Sequence, residues 1–353
     1  MNSTVDTTLL NKVINAPGVS GNEKAISQVL RNEFEKYSDE IIYDNLGSIY
    51  AVKKSKRKDA PHVLISGHMD EVGFIIKKFN ENGTVKALSL GEINKNCLLG
   101  TAVLLPSQNL HGTILGFNVE GDALDSKGDV LIDFGFSNLS ELEKSDIKLG
   151  DRVSFLPVLN KNENSNKIFT SNWNGRYAPL MEIEFLKEVQ NESFDFDLFV
   201  GCTVQEQVGL RGIQTTTNLV KPDLGIVLDT DQAFDYQEKV DDRIGCLGKG
   251  LLVNFYDKTV LPNRLLISEL KKLCRSKKIP FQFYYSMEGS DAAWINKLRT
   301  GCPTLFINVP IRNMNTPNSV LDLNDFSSAK EALLEFVGEL NIDKIQSFKE
   351  ENR

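Results

Sequence analysis

The sequence predicts an α/β protein whose α/β domain is interrupted by a small β-rich domain. Three observations carry that reading. Apolar strand-like runs alternate with helical periods over residues 1–71 and again over 169–353, the pattern of a sheet covered by helices on both faces. Between them, over 72–168, short strand-like runs recur at near-regular spacing, separated by Gly, Asn and Pro. The chain has 353 residues, and single cores stop growing at about 250 to 300 residues.

Taken in order, "SGNEKAISQVLRNEFEKY" sets Ser20 and Glu23 in capping-box spacing and puts Ile26, Val29, Leu30, Phe34 and Tyr37 on one stripe, which predicts an amphipathic helix. "APHVLISGHMD" reads as a short apolar strand, Val63 to Ile65, emerging at His68 and Asp70. The runs "GFIIKKF", "TVKALSL", "TAVLLP", "HGTILGF", "GDVLIDFG" and "DRVSFLPVL" form the β-rich insertion, and the polar "NKNENSNK" follows them. The helical period returns at Pro179–Val189. After it come the strand-like "DLFVGCTV" and "DLGIVLD", a helix near Asn263–Cys274, the runs "IPFQFYY" and "TLFINVP", and a last helix near Asn324–Leu340.

A net charge of −8 with no basic stripe to offset it argues against nucleic acid as a partner. No run of about 18 apolar residues is present to span a membrane, and "MNSTVDTTLLNKV" lacks the basic and apolar regions of a signal peptide. The expectation is a cytoplasmic protein. Cys97, Cys202, Cys246, Cys274 and Cys302 are scattered singly, as buried thiols in a reducing compartment would be. His62, His68 and His111 are the only histidines, so a site needing two of them has almost no choice.

Acids and a histidine stand at the ends of several strand-like runs: His68 and Asp70, Glu206, Asp229, and Asp291 in "GSDAA". Ligands of open α/β sheets bind outside the carboxyl ends of the strands, so these residues are candidates for one cleft. Glu206, where the apolar run Leu198–Val204 ends, suits a general base. A carboxylate two residues after His68 suits the partner that orients a metal-bound imidazole. Asp291 is equally a candidate helix cap. Arg176 and Arg312 are candidates for holding acids near the site, and His62 and His111 read as structural.

The segments "SGHMDEVGFII", "TVQEQVGLRG", "IVLDTD", "GSDAA" and "VPIRNMNTP", with "APGVSGNE" and "IDFG…LGDRVSFLP", resemble the glutamyl and deblocking, or tetrahedral, aminopeptidases, a family of co-catalytic di-metal metallopeptidases. The resemblance covers nearly the whole chain. It implies an α/β, mixed-sheet, zinc-peptidase-like catalytic domain made of residues 1–71 and 169–353 and an inserted β-barrel-like dimerisation domain at 72–168. It further implies assembly through dimers into a dodecamer that admits short peptides, and two divalent ions, commonly zinc or cobalt. By the same resemblance His68 and Asp229 would ligate one ion, Asp70 would orient His68, and Glu206 would take the proton of the attacking water.

Three further ligand positions hold amides instead. They are Asn174, two before Arg176; Gln207, directly after the base; and Asn315 in "RNMNTP". Asp231, Asp241 and Asp242 are the nearest alternative carboxylates, but no histidine follows position 111. Zinc prefers Cys, His and carboxylate to a neutral amide, so the expectation is one weakly held ion at most. Glu206 alone supplies about 10²- to 10⁴-fold as a general base, which does not replace an ion that brings the pKa of water from 15.7 toward 7. The sequence therefore points to an aminopeptidase relative of weak or no activity, or to an inactive homologue that binds peptides or co-assembles as a regulatory subunit.

Overall fold

The computed structural model describes residues 5–118, 123–124, 128–162 and 164–351. Its central sheet has six strands in the order Glu40–Tyr43, Ile49–Lys53, Asp197–Thr203, His62–His68, Leu224–Val227 and Thr304–Phe306. The first three are antiparallel neighbours and the last four run parallel. The strand His62–His68 is therefore flanked by parallel partners on both sides, and it is buried from Val63 onward because helices cover both faces.

Successive residues of these strands serve different cores. Val63, Ile65, Leu198 and Val200 pack with the helices Thr7–Asn15, Lys24–Phe34, Tyr177–Glu188 and Leu323–Gly338. Leu64, Phe199 and Val227 pack on the other face with Ile213 and Val220 of the helix Arg211–Val220 and with Ala292 and Ile295 of the helix Ala292–Lys297. A second sheet of five strands, Leu159–Lys161, Lys167–Thr170, Ser319–Asp322, Val309–Arg312 and Thr230–Gln232, adjoins the first. Leu251–Tyr256 and Phe281–Tyr285 make a parallel pair.

The six strand-like runs between residues 72 and 168 close into a barrel. Its strands are Asp129–Asp133, Val85–Leu90, Gly73–Phe79, Arg152–Phe155, Ala102–Leu105 and Leu110–Asn118. The alternation of buried and half-buried positions along Val85–Leu90 shows one face turned to the barrel interior. That interior is a separate apolar core, in which Phe74 and Phe155 meet edge to face at 5.7 Å between ring centres.

One local expectation is corrected. Ser20 and Glu23 do not make a capping box on the helix Lys24–Phe34, whose start has no side-chain cap. Ser20 Oγ donates instead to Asp70 at 2.5 Å, and Glu23 accepts from the N–H groups of Gly21 and Gln205. Both side chains are recruited by a distant loop, a competition that the spacing of the two residues does not register. The stripe itself holds, with Ile26, Leu30 and Phe34 fully buried.

Candidate active site

In the parallel pairing His68 stands opposite Thr203, so His68, Glu206 and Asp229 leave the sheet at the same edge, at the carboxyl ends of three adjacent strands. Asp70 holds the arrangement together. Its two oxygens accept from the backbone N–H groups of Glu206 at 2.8 Å and Gln207 at 3.1 Å. The short contact to His68 comes from the Asp70 backbone: Nδ1 lies 3.0 Å from that carbonyl and 3.5 Å from the carboxylate. Asp70 thus positions the loop of the candidate base as much as the imidazole.

His68 is almost fully buried, with Nδ1 3.9 Å from Glu206 and Nε2 3.7 Å from Asp229. Burial by itself would lower its pKa, yet the surrounding carboxylates, Glu206 foremost with Asp229 and Asp70, hold it well above the ordinary histidine value. Glu206 is pushed well above the ordinary glutamate value by burial, against the pull of His68.

The nearest polar atom to His68 Nε2 is the Asn174 side-chain oxygen, at 2.8 Å. Asn174 Nδ2 then donates to Asn315 Oδ1 at 2.8 Å, and Thr230 Oγ1 approaches the Asn174 oxygen at 3.3 Å. Asn315 sits in the left-handed backbone region, which asparagine tolerates. Gln207 lies against Gly91: a Cβ built on that glycine would stand 3.3 Å from Gln207 Oε1. The positions of the three amides thus differ in kind, two of them linked to the imidazole and one at the wall.

Asn174 is placed by its successors. Gly175 has a φ of +90°, and a Cβ there would meet the Asp70 carbonyl oxygen at 2.1 Å, so the chain passes too close for any side chain. Arg176, fully buried, pairs with Glu71 at 3.0 Å and donates to the carbonyls of Met69, Gly175 and Ala16. It ties the loop before the helix Tyr177–Glu188 to the loop after His68.

Asp291 precedes the helix Ala292–Lys297 without capping it. Its Oδ2 accepts from Thr203 Oγ1 at 2.6 Å, and its Oδ1 is buried with no partner among the described residues. Burial raises its pKa to about 7. Arg312 stands apart from the cluster, in a two-pronged contact with Asp235 at 2.7 and 2.8 Å. Asp231 accepts from Asn254 and Asn308 at 2.9 and 2.8 Å, and burial lifts it to about 7. The Asp241 side chain lies outside the described residues. His62 contacts the Val220 carbonyl at 2.6 Å and His111 lies on a barrel strand, both away from the site. Among the described residues no group of three or more His, Cys, Asp or Glu side chains is placed to hold a metal ion.

Two features escaped sequence reasoning. Ser20 and Glu23 reach the site loop from the N-terminal segment. Glu182, at the centre of a buried helix, accepts from the Gly67 N–H at 3.2 Å and from the Cys202 thiol at 2.9 Å. An acid among apolar residues in "PLMEIEFL" was the available signal for the second.

The cluster opens into a cavity of about 1230 Å³ lined by Glu92, Glu206, Asp229, Asp231, Asp242, Asp257 and Glu288 against Lys258. A mixed sheet with an imidazole and acids at its parallel strand ends beside a large acidic cleft defines the class, an α/β protein with the architecture of the metallo-aminopeptidases. The family model for the M42 glutamyl aminopeptidases matches residues 47–332, and the chain belongs to that family. The glutamyl aminopeptidase of Lactococcus lactis is 27% identical over 94% of this chain and 95% of its own length. Among solved structures, the TET aminopeptidase of a marine-sediment Thaumarchaeota archaeon superposes with a TM-score of 0.89 at 28% identity, over 97% of this chain and 98% of the other. The Pyrococcus horikoshii TET1 peptidase, described as assembling into a tetrahedron or a large octahedral shell, shares the fold with a TM-score of 0.81 at 22% identity, over 94% and 99% of the two chains.

Proposed function

We propose that this chain is an aminopeptidase homologue that binds the free N-terminus of short peptides and hydrolyses them weakly or not at all. The observation that carries the reading is the amide chain His68–Asn174–Asn315. The nitrogen of His68 that faces Asp229 is engaged by a neutral carboxamide, and that carboxamide is held by a second one. The donor set near it is one imidazole, the Asp229 carboxylate and amides, which does not fit two divalent ions whose preferred ligands are His, Cys and carboxylate.

What the residues do supply is a binding site. The acidic cleft favours an ammonium group by charge complementarity. Glu206 and Asp229, at its sheet end, lie 3.9 and 3.7 Å from the His68 ring. Glu206 keeps the geometry of a general base, worth about 10²- to 10⁴-fold on its own. The barrel between residues 72 and 168 is assigned to self-association through dimers, toward a dodecamer, and the chain to the cytoplasm. Among the described residues no helix is long and apolar enough to cross a membrane.

Elemental analysis of the purified chain, combined with turnover of aminoacyl anilides under added zinc, cobalt and manganese, tests the reading. The expected result is at most one ion per chain, turnover at or near background, and calorimetric binding of short peptides that is lost on N-acetylation. Two ions per chain with robust turnover would overturn it.

A further inference from the structure

Three successive backbone N–H groups surround the candidate base, and two acids take them. Those of Glu206 and Gln207 donate to Asp70, at 2.8 and 3.1 Å, and that of Gln205 donates to Oε1 of Glu23 at 3.1 Å. The same Glu23 oxygen accepts from the Gly21 N–H at 2.7 Å, which fixes the carboxylate over its own turn. Glu23 is buried and does not line the main cleft.

The segment that carries Glu23 is braced from two sides. Ser20 Oγ donates to Asp70 at 2.5 Å, the Ser20 N–H donates to the Glu71 carbonyl at 3.3 Å, and the Gly18 N–H donates to the Glu71 carboxylate at 3.0 Å. From the barrel, Arg152 Nε donates to the Ser20 carbonyl at 3.3 Å. Glu23 therefore reaches Gln205 from a support fastened to the loop after His68 and to the barrel.

What it holds is an unfavourable conformation. Gln205 has a φ of +56°, in the left-handed region, and its side chain has only a 3.5 Å contact with Arg211 Nη1. For an L side chain that region is disfavoured by the equivalent of about 10-fold in population. The two backbone groups of Gln205 offset the cost, the N–H through Glu23 and the carbonyl by accepting from the Arg211 N–H at 3.2 Å. Directly after this left-handed step comes Glu206, whose carboxylate lies 3.9 Å from His68 Nδ1.

We propose that Glu23 is a positioning residue for Glu206: by accepting the Gln205 N–H it holds the left-handed step that aims the Glu206 carboxylate into the cleft. Asp70 does not perform this task, because its two oxygens accept from the two N–H groups that follow. The inference rests on the proposed binding of a peptide ammonium group beside Glu206, and Glu23 acts on it through the backbone alone.

The test compares Glu23→Ala and Glu23→Gln in the full chain, each also in a Gln205→Gly background, where the left-handed region carries no side-chain penalty. Amide hydrogen exchange at Gln205–Gln207 and calorimetric titration with C-terminally amidated trialanine are the readouts. Glu23→Ala is expected to speed exchange at those amides and to weaken trialanine binding, each by about 10-fold. Glu23→Gln keeps an oxygen for both N–H groups and restores both readouts. In the Gln205→Gly background Glu23→Ala no longer affects the affinity. A loss of affinity that persists in that background, or that Glu23→Gln fails to restore, overturns the proposal, as does exchange that is unchanged at Gln205–Gln207 or accelerated throughout the chain. Wild-type protein that binds no trialanine overturns the reading of the cleft, whereas the exchange result judges the hold of Glu23 on Gln205 separately.

Discussion

His68 Nε2 lies 2.8 Å from the Asn174 side-chain oxygen and 3.7 Å from Asp229. The imidazole nitrogen nearest the carboxylate is thus saturated by an amide, and that amide is fixed from behind by Asn315 at 2.8 Å. Converting the three amides together, by Asn174→Asp, Gln207→Glu and Asn315→His, replaces neutral oxygens with two carboxylates and an imidazole. Partners that merely orient metal ligands are worth about 10- to 100-fold in affinity, so the triple variant is expected to bind zinc at least about 100-fold more tightly than the wild type. Competition against a chromophoric chelator measures it, and equal affinities would mean that the amides themselves ligate.

The same contacts dictate the charge of His68. Burial disfavours the imidazolium, but Glu206, Asp229 and Asp70 raise its pKa well above the ordinary value of 6.5. Both ring nitrogens also face acceptors, the Asp70 carbonyl and the Asn174 oxygen. With three histidines in the chain, nitrogen-detected NMR resolves them individually. His68 is expected to titrate above the ordinary histidine value, and Glu206→Gln is expected to lower its pKa. A wild-type His68 that titrates at or below the ordinary histidine value would contradict the electrostatic account.

Glu182 makes a stability prediction with a definite sign. Burial, set against bonds from Cys202 and Gly67, lifts its pKa from 4.5 to about 8. Between those values the folded chain holds a proton that the unfolded chain has released, so this group's contribution falls as pH rises toward 8 and is constant above it. Glu182→Gln keeps an acceptor for the Gly67 N–H and does not ionise. Relative to wild type the variant is expected to gain stability from pH 6 to pH 8, on the order of 1 kcal/mol per pH unit. Urea denaturation at several pH values reads this directly, and parallel pH profiles of the two proteins would exclude the assignment.

How far the sequence went can be judged from these residues. The strands leading to His68, Glu206 and Asp229 were legible because each is a short apolar run stopped by a polar residue, and the barrel strands because turn formers punctuate them. Asn174, Gln207 and Asn315 stood out only through the family resemblance, since an amide in a loop has no periodic signature. The roles of Ser20, Glu23 and Arg152 were not legible. Their partners lie 50, 182 and 132 positions away, and local spacing, which suggested a capping box for the first two, carries no information at that separation.

Gly175 sets the placement of Asn174 and leaves no room for a side chain near the site. Its φ of +90° is strained for any other residue, and a Cβ would stand 2.1 Å from the Asp70 carbonyl oxygen and 3.4 Å from His68 Cε1. Since the first contact is with backbone, no rotamer change relieves it. Gly175→Ala must move the 173–176 loop or the 68–70 loop, and a strained backbone costs about 1 to 3 kcal/mol before any displacement. Arg176, whose guanidinium ties Gly175 to Met69 and Ala16, opposes that movement. The variant is therefore expected to lose at least about 1 kcal/mol in urea denaturation and to lose the His68–Asn174 contact, seen as a shifted His68 nitrogen resonance. A variant as stable as wild type, with an unshifted His68 signal, would show that the close approach of these two loops is not what holds the amide in place.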